Sequence, residues 1–158
     1  MNDIISVFRK ISLSKFIVLS ITTCLLISFL ISLILSYVNI DYLEIDYLKN
    51  KGLSYIFILT VLVAPILETL IFQYGIIELL FRLKNKNKIL YAILASAIVF
   101  GLSHYYNIFY VLNSFILGLA FATFYIIAKI RKDINPLYLL FSIHSLINLV
   151  AFIFNDVL

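Results

Sequence analysis

Between Ile89 and Ala128 the chain runs for 40 residues without a lysine, arginine, aspartate or glutamate. As one helix that run would be about 60 Å long, roughly twice the hydrocarbon thickness of a bilayer. It has to turn, and His104-Tyr105-Tyr106-Asn107 supplies the polar break. The reading is two spans, near 89–105 and 108–128, joined at that tetrapeptide.

The rest of the chain has the same character. Lys15 and Asp41 bracket 25 uncharged residues, Phe16 to Ile40, enough for one tilted helix. Arg9, Lys10 and Lys15 precede it as in a signal peptide, but the apolar stretch is too long for a signal core and no small-residue cleavage site follows. The segment is expected to remain as an anchor. A second span covers Leu53 to Phe81 and a last one Ile134 to Phe154. With 64% hydrophobic and 13% charged residues, the excess apolar surface has to face something other than water. The expected fold class is all-α, a polytopic membrane bundle of about five transmembrane helices. Residues 1–52 form an N-terminal segment with the first span and an outer loop, and 53–158 form a four-helix membrane domain.

The net charge of +4 does not mark a nucleic-acid binder, because the basic residues lie in short clusters between apolar runs. Arg9, Lys10 and Lys15 precede the first span. Arg82, Lys84, Lys86 and Lys88 join the second and third, and Lys129, Arg131 and Lys132 join the fourth and fifth. These are ten of the 12 basic residues, and five spans put them all on one side. The other side has Lys49 and Lys51 beside Asp41, Glu44 and Asp46. The positive-inside rule then makes the N-terminus cytoplasmic and the C-terminus extracytoplasmic. The lone cysteine, Cys24, reads as a lipid-facing or packing residue. Ser114, Gly118 and Ala122 stand four apart, a spacing that lets helix backbones approach closely.

Ionisable groups inside a span cost roughly 3 kcal/mol on insertion scales, so each needs a reason. Helical rise puts Glu68, His104 and Asn148 each about 21–22 Å from the inner end of its span, and His144 about 15 Å. His144 and Asn148 are i and i+4 and share a helix face. A lone buried histidine or asparagine is usually an interhelical hydrogen bond. A carboxylate, two imidazoles and an amide gathered at one level point to a site. Glu78, one turn from Arg82, reads instead as half of an i,i+4 ion pair. Pro65 is expected to free the carbonyl of Val61 and bend its span, which could admit water to Glu68.

Segments PILETLIFQ (65–73), FGLSH (100–104) and HSLIN (144–148) stand in the order and on the successive spans of a known family. They resemble the CAAX protease and bacteriocin-processing (CPBP, or ABI) family of intramembrane endopeptidases, over roughly residues 53 to 154. The resemblance implies peptide-bond hydrolysis without a cofactor. It makes Glu68 the base that activates water, His104 the histidine assisting it, and His144 with Asn148 the oxyanion donors. The chemistry is coherent, since hydrolysis needs a base near water and donors aimed at the developing charge. Two positions depart from the family pattern. Its second glutamate is Thr69 here and its arginine is Gln73. Lying i and i+4, they are expected to replace the usual ion pair by a neutral hydrogen-bonded pair.

Two rival readings follow from the same residues. Glu68, His104 and His144 match the ligand count of several catalytic zinc sites, although no H-E-x-x-H helix fixes two ligands together. Thr69 and Gln73 favour a catalytically silent relative giving immunity to a peptide toxin. The implied partners are membrane lipid and a peptide or membrane-protein substrate. The many Ile, Lys and Asn residues and the absence of Trp are compatible with an AT-rich bacterial genome, hence a multi-pass protein of a bacterial plasma membrane.

Overall fold

The structure is a computed structural model that describes residues 7–8, 10–37 and 50–154. Arg9, residues 38–40 at the end of the expected first span, the outer-loop charges Asp41, Glu44, Asp46 and Lys49, and the C-terminal residues 155–158 lie outside the described residues. Among the described residues there is no strand. From Leu13 on, the described residues form a bundle of five helical segments: α1 (Leu13–Tyr37), α2 (Leu53–Phe81), α3 (Lys88–Ser103), α4 (Ile108–Arg131) and α5 (Pro136–Phe152).

Three of these, α1, α2 and α4, are long and apolar enough to cross a membrane. The apolar α3 and α5 are shorter, with 16 and 17 residues, or about 24–26 Å. Their ends follow from local chemistry. The polar break expected at 104–107 is the turn between α3 and α4, where the Asn107 side chain accepts from the Tyr110 N–H at 2.8 Å as an N-cap. Lys132 ends α4 in the left-handed region at φ 65°, which frees the chain to turn back. Asn135 caps α5 by accepting from the Leu137 N–H at 2.9 Å, with Pro136 in the first helical turn.

The closest packing is between α3 and α4, and glycines permit it. A Cβ on Gly101 would lie 2.9 Å from the Phe115 Cβ and 3.1 Å from its backbone. A Cβ on Gly118 would lie 3.0 Å from the Ala97 Cα. Ser114, Gly118 and Ala122 are all buried, as the small-residue stripe predicts. Cys24 is fully buried, so of its two readings the packing one holds. The outer faces of the bundle carry Val18, Leu33, Ile71 and Leu102, each more than half exposed, an apolar surface suited to lipid.

Among the described residues, the start of α1 and the basic ends of α2 and α4 meet. The Arg131 guanidinium, on the last residue of α4, donates to the carbonyls of Phe8 and Ile11 ahead of α1 and lies 5.0 Å over the Phe16 ring. It also grips Asp133 at 2.6 Å, and that hydrogen bond holds the Asp133 carboxyl below its ordinary range. Glu78 corrects the sequence reading. Its partner is Lys129 of α4, which donates to both carboxylate oxygens at 2.5 and 2.7 Å, while the Tyr125 hydroxyl adds a third bond at 3.0 Å. Glu78 faces α4 across the helix packing, and a cation there outcompetes one a turn along its own helix.

Candidate active site

Helix α2 is not a regular α-helix. Residues Ile58–Val63 and Thr69–Gly75 wind as π-helix, with α-helical Ala64–Glu68 between them. Such π-turns are rare in helices and frequent at functional sites. Glu68 closes the α-helical insert, and its side chain is 22% exposed.

Two histidines from other helices meet this carboxylate. The Nε2 of His144, midway along α5, lies 3.5 Å from Glu68 Oε2, and the Nε2 of His104, just past the end of α3, lies 3.8 Å from the same oxygen. Both gaps are too long for strong direct hydrogen bonds. The side chains grade from wet to dry, with Glu68 at 22%, His104 at 14% and His144 at 4% exposure.

The tautomer of His104 follows from its partners. Its Nδ1 lies 2.7 Å from the Phe100 carbonyl oxygen, and a carbonyl only accepts, so Nδ1 carries the proton. Ser103 Oγ also donates to that carbonyl at 2.7 Å. When the ring is neutral, that tautomer turns an unprotonated Nε2 toward Glu68. Aromatic rings hold it in place, with Phe100 edge-on at 4.6 Å and Tyr110 stacked at 5.6 Å between centroids. Phe121 packs at 4.7 Å against His144, whose Nδ1 meets no hydrogen-bond partner among the described residues.

Asn148 lies one turn beyond His144 and bonds to α2, its Nδ2 donating to the Thr60 carbonyl at 2.8 Å. Glu68, His104, His144 and Asn148 all line one cavity of about 610 Å³. The structure thus brings together the four polar residues singled out in the sequence. The cavity also holds groups that hydropathy alone does not flag. Leu25, Ser28, Phe29 and Ser32 of α1 form one wall, and Asn113 of α4 contributes a buried Oδ1 that finds no partner among the described residues. Asn113 was the legible one of these, being an amide inside an apolar run.

One expectation fails here. Thr69 and Gln73 are both fully buried, yet Thr69 Oγ1 and both amide atoms of Gln73 find no hydrogen-bond partner among the described residues. The i,i+4 pairing presumed an α-helix, and this segment winds as π-helix. Asn148 takes up the carbonyl of Thr60, one residue before the Val61 carbonyl expected to be freed by Pro65. Among the described residues no group of three His, Cys, Asp or Glu side chains is disposed to hold a metal ion.

Residues 50–150 match the family model described as type II CAAX prenyl endopeptidase Rce1-like. No curated protein and no solved structure matches the chain.

Proposed function

The chain belongs to the Rce1-like family of type II CAAX prenyl endopeptidases, and from that premise we propose that it is an active intramembrane glutamic endopeptidase. The observation that carries this reading is the convergence of the Glu68 carboxylate with two imidazoles in one cavity among apolar helices. A water between Glu68 Oε2 and His104 Nε2 gives one O–H to each acceptor. Glu68 takes a proton from that water as its oxygen bonds to the carbonyl carbon of the scissile peptide. The tetrahedral oxyanion then accepts hydrogen bonds from His144 Nε2–H and Asn148 Nδ2–H. As the C–N bond breaks, Glu68 returns the proton to the leaving amine.

No cofactor takes part in this scheme, and the partners are membrane lipid and a peptide or membrane-protein substrate. The chain sits in a bacterial plasma membrane with its basic end cytoplasmic, by the positive-inside rule. The test is hydrolysis of fluorogenic peptides, with and without a prenylated C-terminal cysteine motif, by detergent-purified protein. Wild type should cleave and Glu68→Gln should lose at least about 100-fold in kcat. Cleavage that survives Glu68→Gln would remove Glu68 from the mechanism. Cleavage abolished by chelation and restored by zinc would replace it with metal chemistry.

A second reading, a catalytically silent member giving toxin immunity, draws on Thr69 and Gln73, which are buried without polar partners among the described residues. Absence of cleavage across the peptide panel, with toxin protection that survives Glu68→Gln, is the outcome that favours it.

A further inference from the structure

We propose that Pro65 is a positioning residue, which orients the Asn148 carboxamide by keeping the Thr60 carbonyl free to receive it. In the first π-turn the Ala64 N–H bonds to the Leu59 carbonyl, five residues back. In that register the next carbonyl, Thr60, would take the N–H of residue 65. Residue 65 is proline and has none. A carbonyl in a partly buried, apolar setting that is left without a donor is costly, so a partner has to come from elsewhere.

The Thr60 side chain does not supply it, since its hydroxyl donates to the Ile56 carbonyl at 2.8 Å. The partner comes from α5, where Asn148 Nδ2 donates at 2.8 Å. This bond fixes the amide flip. A carbonyl only accepts, so the NH₂ of Asn148 faces Thr60 and Oδ1 faces away. One N–H is spent on Thr60, and the second remains for the cavity that both residues line. Pro65 is itself fully buried against the bundle, so the device belongs to the packed fold.

The inference rests on the reading of Asn148 as an oxyanion donor, and the test separates the two. Pro65→Ala restores an N–H that competes with Asn148 for the Thr60 carbonyl. Pro65→Ala, Asn148→Ala and the double variant are compared with wild type in kcat, KM and thermal midpoint. Pro65→Ala should lower kcat on the order of 10- to 100-fold with KM within about twofold. Asn148→Ala should lower kcat on the order of 100- to 1000-fold, and the double variant should be no worse than Asn148→Ala alone. Asn148→Ala should also lower the thermal midpoint less in the Pro65→Ala background than in wild type. Losses in kcat that multiply, with midpoint shifts that add, would overturn the positioning role. Wild-type kcat in Asn148→Ala would overturn the oxyanion role and, with it, the catalytic purpose of the device. Coupled midpoints in that case would still show the competition for Thr60.

Discussion

Glu68 Oε2 and His144 Nε2 stand 3.5 Å apart although they belong to α2 and α5, with two whole helices between them in the chain. His144 is also the driest member of the cluster, with a side chain 4% exposed. A donor held in a low-dielectric pocket stabilises developing negative charge more than one in water does. His144→Ala should therefore lower kcat about 100- to 1000-fold with little change in KM. His144→Gln, which keeps an N–H donor, should recover part of the loss. Equal kcat in both variants and wild type would remove His144 from the transition state.

The ion pair at the basic end is interhelical. A double-mutant cycle on Glu78→Gln and Lys129→Met should give a coupling of about 0.5–1 kcal/mol, since the side chains are 27% and 32% exposed and solvent screens them. The same cycle on Glu78 and Arg82 should give less. A larger coupling to Arg82 than to Lys129 would return Glu78 to its own helix.

Thr69 is fully buried, with a hydroxyl that finds no partner among the described residues. Thr69→Val keeps the shape and removes that hydroxyl. Thermal stability in detergent should stay level or rise by about 1 kcal/mol. A comparable loss would reveal a partner for the hydroxyl in the folded protein.

The α3–α4 contact should tolerate no added carbon at Gly101, where a Cβ would meet the Phe115 Cβ at 2.9 Å. Gly101→Ala should cost about 1–3 kcal/mol by overpacking. Gly52, whose Cβ would meet nothing within 4 Å, is the control, and Gly52→Ala should stay within about 0.5 kcal/mol of wild type. Equal midpoints for the two variants would mean that α3 and α4 are further apart than described.

The orientation is testable with reporters. Fusion after Asn85, between α2 and α3, should read cytoplasmic, and fusion after Leu158 should read extracytoplasmic. The same side for both would require an even number of crossings between those points.

The helices themselves were legible because hydropathy and capping act over a few residues. The uncharged run from Ile89 to Ala128 had to break, and the break at His104–Asn107 carries its own cap in Asn107. The polar residues of the cavity were legible for a related reason: a carboxylate, imidazole or amide in an apolar span is conspicuous. The sequence alone thus determined the all-α membrane bundle, the main turns and the identity of Glu68, His104, His144 and Asn148. Pairing was decided only by the tertiary structure. Which group Glu78, Thr69, Gln73 or Asn148 meets depends on how α2 rotates against its neighbours, and two π-turns alter that rotation without a hydropathy signal. In the first of those turns the carbonyl facing Pro65 is that of Thr60, and in the second the i,i+4 pairing of Thr69 with Gln73 is undone. Packing likewise made α1, which lies outside the matched segment 50–150, a wall of the cavity. Hydropathy is a property of one helix, whereas a hydrogen bond between helices needs the phase of both.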